Sequence, residues 1–143
     1  MQGYRPPSLS ATPPVVKNLI ILNVLMFLAT FAFQPMGFDL TDYLGLYFPE
    51  SDSFKPFQFV SHMFMHGGIM HIFFNMFALW MLGRMLEVVW GGKRFLGFYF
   101  VTGLGAALLH TFATWWSVSG AQEAVAAFLN SPDPDSFELL VKH

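Results

Sequence analysis

Three stretches of the chain are apolar for long enough to cross a lipid bilayer, which takes about 20 residues of helix. The first runs from about Val15 to Phe33 and is almost purely apolar after Lys17 and Asn18; Pro35 and Gly37 end it. The second runs from about Ile69 to Val89, the third from about Phe95 to Trp116. Between these two, Gly91-Gly92 makes a tight turn in the sequence Trp90-Gly91-Gly92-Lys93-Arg94. The pattern predicts an all-α, polytopic membrane bundle: an N-terminal tail over 1–14, a membrane domain over 15–116 with spans at about 15–33, 69–89 and 95–116, and a tail over 117–143. In that tail Ala121 to Leu129 could form a short helix ended by Pro132 and Pro134, and Ser136 to Val141 could begin another.

The segment between the first two spans is not simply polar. Phe38, Leu40, Tyr43, Leu44, Leu46, Tyr47, Phe48, Phe54, Phe57 and Phe59 alternate with Asp39, Asp42, Glu50, Asp52 and Lys55. Such a mixture suits a segment lying in the membrane interface with aromatic rings at headgroup level. The alternative is a folded soluble cap.

Composition agrees with the spans and removes other classes. Mean hydropathy is +0.50. Only 11% of residues are charged, against about a quarter in soluble domains. With no cysteine there is no disulfide framework and no thiol nucleophile or thiolate metal site. A net charge of -2 gives no nucleic-acid footprint, and the tail over 1–14 has none of the build of a signal peptide. Arg5 and Lys17 precede the first span, and Arg84, Lys93 and Arg94 flank the Gly91-Gly92 turn, whereas the other segments hold only Lys55 and Lys142. The positive-inside rule then puts the N-terminus and that turn in the cytoplasm. The expected location is the plasma or inner membrane.

The polar residues of the second span carry the candidate chemistry. It opens His66-Gly67-Gly68-Ile69-Met70-His71-Ile72-Phe73-Phe74-Asn75. Polar groups inside a bilayer are costly and are usually paired or functional. His71 and Asn75 are four residues apart and share one helix face. At about 1.5 Å per residue, Asn75 lies roughly 9 Å below the outer end of the span. A neutral His71 ring and the Asn75 amide could there donate hydrogen bonds to one developing oxyanion, or could bond a neighbouring helix as a structural pair. His62 and His66 have metal-compatible spacing, but interfacial bonds to the loop backbone explain them as well, and no metal or other cofactor is expected. Gly103, Gly105, Ala106 and Ala107 read as a close-packing face, with His110 making a polar contact near the outer end. Ser117-Val118-Ser119-Gly120 imitates a nucleophile motif, yet Ser119 opens no further apolar span and is not expected to attack.

His62-Met63-Phe64-Met65-His66-Gly67-Gly68, His71-Ile72-Phe73-Phe74-Asn75, Leu82-Gly83-Arg84-Met85-Leu86-Glu87 and Trp90-Gly91-Gly92-Lys93-Arg94-Phe95, in that order, resemble the rhomboid family of intramembrane serine proteases from about Val15 to Trp116. The resemblance implies a bundle of six or more spans that cleaves other membrane proteins in or near their transmembrane segments. A serine in Gly-x-Ser-Gly on the fourth span attacks, a histidine on the sixth is its base, and the residues matching His71 and Asn75 help stabilise the oxyanion. His66 matches a further family histidine in a supporting place. The family often has Trp-Arg where this chain has Phe57-Gln58, which puts the loop's usual arginine contacts in doubt. No nucleophile and no base histidine are found in these residues, so the expectation is the N-terminal portion of such a protease, inactive alone. A non-catalytic rhomboid-like protein that binds client helices is the alternative, and a metal- or haem-binding bundle using His62, His66 and His71 is a third reading. The expected partners are transmembrane substrates or clients and the bilayer, with self-association of exposed faces and no nucleic acid.

Overall fold

A computed structural model describes residues 12–141. Among them there is no strand. Helix α1 (Pro14–Phe33) is followed by a 3-10 turn, Gln34–Met36, and by Gly37 at φ +78°, a left-handed geometry that suits glycine. Two short helices, α2 (Leu40–Leu44) and α3 (Gln58–Ser61), lie in the connecting segment. The second span is α4 (Ile69–Ala78), a π-helical turn Leu79–Gly83, and α5 (Arg84–Trp90). Gly91, at φ +80°, reverses the chain into α6 (Gly92–Asn130), and α7 (Pro134–Val141) follows. The protein is an all-α, integral membrane protein with three helices long and apolar enough to cross a bilayer: 14–36, 69–90 and 92–130.

The third helix does not stop at Trp116. It runs unbroken to Asn130, 39 residues in all, or about 58 Å, where the hydrocarbon core is only about 30 Å thick. The reason lies in the residues past the apolar limit. Ala121, Gln122, Glu123, Ala124, Ala126 and Ala127 are good helix formers and no proline comes before Pro132. Hydropathy marks where lipid ends; it does not mark where a helix ends. Pro134 opens α7, a position where its missing N–H costs nothing, and Phe137 packs its ring 6.1 Å from that of Phe128.

What joins the first two spans is a long-range cap. Helix α1 has no side-chain cap of its own. Pro14 has no N–H to satisfy, and Lys17 N donates to Pro13 O at 3.0 Å. The two remaining donors of the first turn reach the second span: Val15 N donates to Glu87 Oε1 at 3.0 Å and Val16 N to Glu87 Oε2 at 2.8 Å. A carboxylate at a helix N-terminus also meets the positive end of its dipole. Glu87 is only 5% exposed. One turn earlier, a Cβ on Gly83 would lie 3.0–3.1 Å from Phe95, Leu79 and Val16. The glycine therefore lets three helices meet, around the core of Val16, Leu19 and Phe95.

The loop between the spans is folded around Gln58, which is 1% exposed. Its Oε1 accepts from Tyr47 N (3.3 Å) and Lys55 N (3.1 Å), and its Nε2 donates to Tyr43 O (3.2 Å) and Ser53 O (3.1 Å). Ser61 Oγ adds a bond to Leu44 O at 2.7 Å. Phe38, Tyr43 and Phe57 form a chain of ring contacts beside this network, and Lys55 Nζ lies 4.6 Å over the Tyr43 ring. The segment is thus internally hydrogen-bonded and still presents exposed aromatic rings. Gln58→Ala leaves four backbone groups without a partner, each worth about 1–3 kcal/mol if it stays buried. The expected outcome is faster proteolysis and faster amide exchange across 43–58, with the spans unaffected. Gln58→Glu keeps the acceptor side and loses both donors, so it is expected to fall between the two.

Candidate active site

An open cavity of about 720 Å³ lies among α1, the second span and α6. The period of α4 turns His71 and Asn75 to the same side, and both line this cavity, together with His62 and His66 from the preceding loop. The His66 and His71 rings stand 5.1 Å apart at an angle of 59°. His66 is buried, at 7% exposure, and its Nδ1 has no hydrogen-bond partner. His71 and Asn75 are exposed to the open side. Two groups able to donate N–H thus face one space that is large enough for a side chain or a peptide segment.

His62 and His66 do not act together. His62 Nδ1 bonds the carbonyl of Gln58 at 2.8 Å, which is the backbone role open to it from the sequence, while His66 turns to His71. Among the described residues no group of three or more His, Cys, Asp or Glu is placed to hold a metal ion. His110 departs from expectation: its ring is exposed on α6 and has no polar contact among the described residues. His143 lies outside the described residues. Ser119 is inside α6, half-buried, and its Oγ donates to Trp116 O at 3.0 Å; it is not among the residues lining the cavity. Gly103 and Ala106 do line it, and a Cβ on Gly103 would strike the Met63 side chain, so this small residue lets the loop pack onto α6.

Three further polar residues of the cavity belong to no motif in the sequence. Asn23, in the middle of the first span, is fully buried; its Nδ2 donates to Leu19 O at 2.7 Å and its Oδ1 has no partner. Tyr99 and Thr102 approach from α6. An asparagine inside an otherwise apolar run is the sequence signal that could have found the first of these.

Burial, and next the neighbouring His71, hold His66 below the usual histidine range. The unfolded chain then binds a proton that the folded one refuses. Stability from this group is complete above about pH 6.5 and declines as pH falls through that value towards the lower folded-state pKa. Thermal unfolding in detergent is expected at lower temperature at pH 5.5 than at pH 7.5, and His66→Gln is expected to flatten that dependence.

Comparison with known proteins bears directly on this geometry. Residues 53–135 match the family model described as Rhomboid domain. The match covers α3, the second span, the turn and the whole of α6, and the chain belongs to the rhomboid family of intramembrane proteases. It is also 26% identical over 106 residues to a protein described as Rhomboid-like protease 3 from Toxoplasma gondii. That alignment takes in 73% of this chain but only 40% of the relative's length. No solved structure matches the chain.

Proposed function

We propose that this chain supplies the oxyanion side of a rhomboid-type intramembrane serine endopeptidase whose nucleophile and base come from other spans of the same fold. The observation that carries the reading is the shared cavity: His71 and Asn75 face one open space, backed by the His66 ring. When a serine hydroxyl attacks a peptide carbonyl, negative charge grows on the carbonyl oxygen. A ring N–H of His71 and the amide of Asn75 donate to that oxygen, more strongly in the transition state than in the bound substrate. The 40% share of the relative's length supports a larger working protein. The substrates are membrane proteins whose extended backbone enters the cavity from lipid. Lys17, Lys93 and Arg94 support a cytoplasmic N-terminus and turn, which puts the reaction roughly 9 Å from the opposite face.

Expression of this chain with and without an added segment bearing a Gly-x-Ser-Gly span and a later base histidine tests the reading. Cleavage of a membrane-anchored reporter is expected only with the added segment. Cleavage by residues 1–143 alone, abolished by Ser119→Ala, would overturn it. Stable reporter binding with no cleavage in either case would favour the client-binding alternative.

A further inference from the structure

A second, wholly apolar cleft of about 560 Å³ opens on the other side of the α1–second span pair. Ile20, Val24 and Phe27 form one wall, and Phe73, Met76 and Trp80 the other. From Ile69 to Trp80 the cleft follows the second span for about 16 Å, a length on the scale of a lipid acyl chain. The end nearer the Gly91-Gly92 turn is not apolar. The Arg84 guanidinium sits 4.7 Å from the Trp80 ring, stacked over the last residue of the cleft. Trp80 lies within the π-helical turn Leu79–Gly83 and Arg84 opens α5 four positions on, so the two side chains share one side of the span.

Among the described residues this arginine has no counter-charge. Its Nε is buried with no partner, and the Trp80 ring is the one interaction its side chain makes there. Glu87, the acid nearest along the helix, is occupied by Val15 and Val16. A guanidinium within a span, about 9 Å in from Trp90, needs an anion with planar or forked acceptor oxygens. A phospholipid fits both ends: phosphate oxygens pair with Arg84 while an acyl chain fills the cleft. We propose that the α1–second span cleft binds one anionic phospholipid from the leaflet on the side of the Gly91-Gly92 turn, with its phosphate held by Arg84. Lys93 and Arg94, just past the turn, add a positive field at the same surface. The site is on the opposite wall from the His71–Asn75 cavity and stands whether or not the protein cleaves substrates.

Native mass spectrometry of the full chain, released from vesicles of phosphatidylcholine and phosphatidylglycerol in equal amounts, reads the site. One phosphatidylglycerol adduct per chain is expected. Arg84→Gln should lower its retention about fivefold, the scale for one cation at a membrane surface, and Val24→Trp, which fills the cleft from an exposed position, should abolish it. Glycerol phosphate without acyl chains should not compete. Equal retention of both lipids, unchanged retention in either variant, or competition by glycerol phosphate would overturn the proposal. So would a chain dimer that Val24→Trp dissociates, because the cleft would then belong to a second copy. Should Arg84→Gln fail to accumulate, loss or retention of the adduct in Val24→Trp decides the question.

Discussion

Glu87→Ala is expected to be the most damaging single substitution in the structure, lowering stability by about 3–5 kcal/mol. Hydrogen bonds to a charged acceptor contribute about 1.5–3 kcal/mol each, and Glu87 receives two, from Val15 and Val16. Removing the carboxylate leaves the buried Val16 N–H and the part-buried Val15 N–H without their acceptor. Helix α1 has no cap of its own to take over. Such a loss is a large part of the total stability of a typical domain. Glu87→Gln retains an acceptor oxygen and forfeits the charge, so about half the loss is expected. Thermal unfolding in mild detergent, followed by circular dichroism, measures both. A change below about 0.5 kcal/mol for Glu87→Ala would mean that the two spans are held together by apolar packing alone.

The Gly83-x-x-x-Glu87 pair also shows where sequence reasoning reaches its limit. The three spans, the Gly91-Gly92 reversal and the exit from α1 at Pro35 and Gly37 are local properties, set by apolar run length and by backbone preference, and they are readable along the chain. The partners of Glu87 are 71 and 72 residues away, and no local pattern names them. Gln58 is the same kind of case. It departs from the family's usual arginine, yet its amide has both donors and an acceptor and ties four points of the loop. The length of α6 escapes hydropathy for a different reason, because lipid solubility and helix propensity part company after Trp116. At the site, four-residue spacing is enough to put His71 and Asn75 on one face. The contributions of Asn23, Tyr99 and Thr102 depend on how three helices pack around a common space.

His71→Ala and Asn75→Ala are expected to give the second large effect, this time on rate. Each removes one donor to the developing oxyanion, and loss of one such donor slows turnover by about 10²–10³-fold, or about 2.7–4 kcal/mol of transition-state stabilisation. Both side chains are exposed to the cavity, so truncating them empties no packed core. Thermal stability and substrate affinity should therefore stay near those of the parent, which separates a chemical role from a structural one. The double substitution should fall short of the product of the two single effects, because both act on one oxygen. The most direct measurement is kcat for a membrane-anchored reporter, in a polypeptide that joins this chain to a Gly-x-Ser-Gly span and its base, with Tm recorded for each variant. With the two residues as oxyanion donors, kcat drops at least about 100-fold for each substitution while KM and Tm stay unchanged; unchanged kcat, or a drop that follows a fall in Tm, would contradict that role.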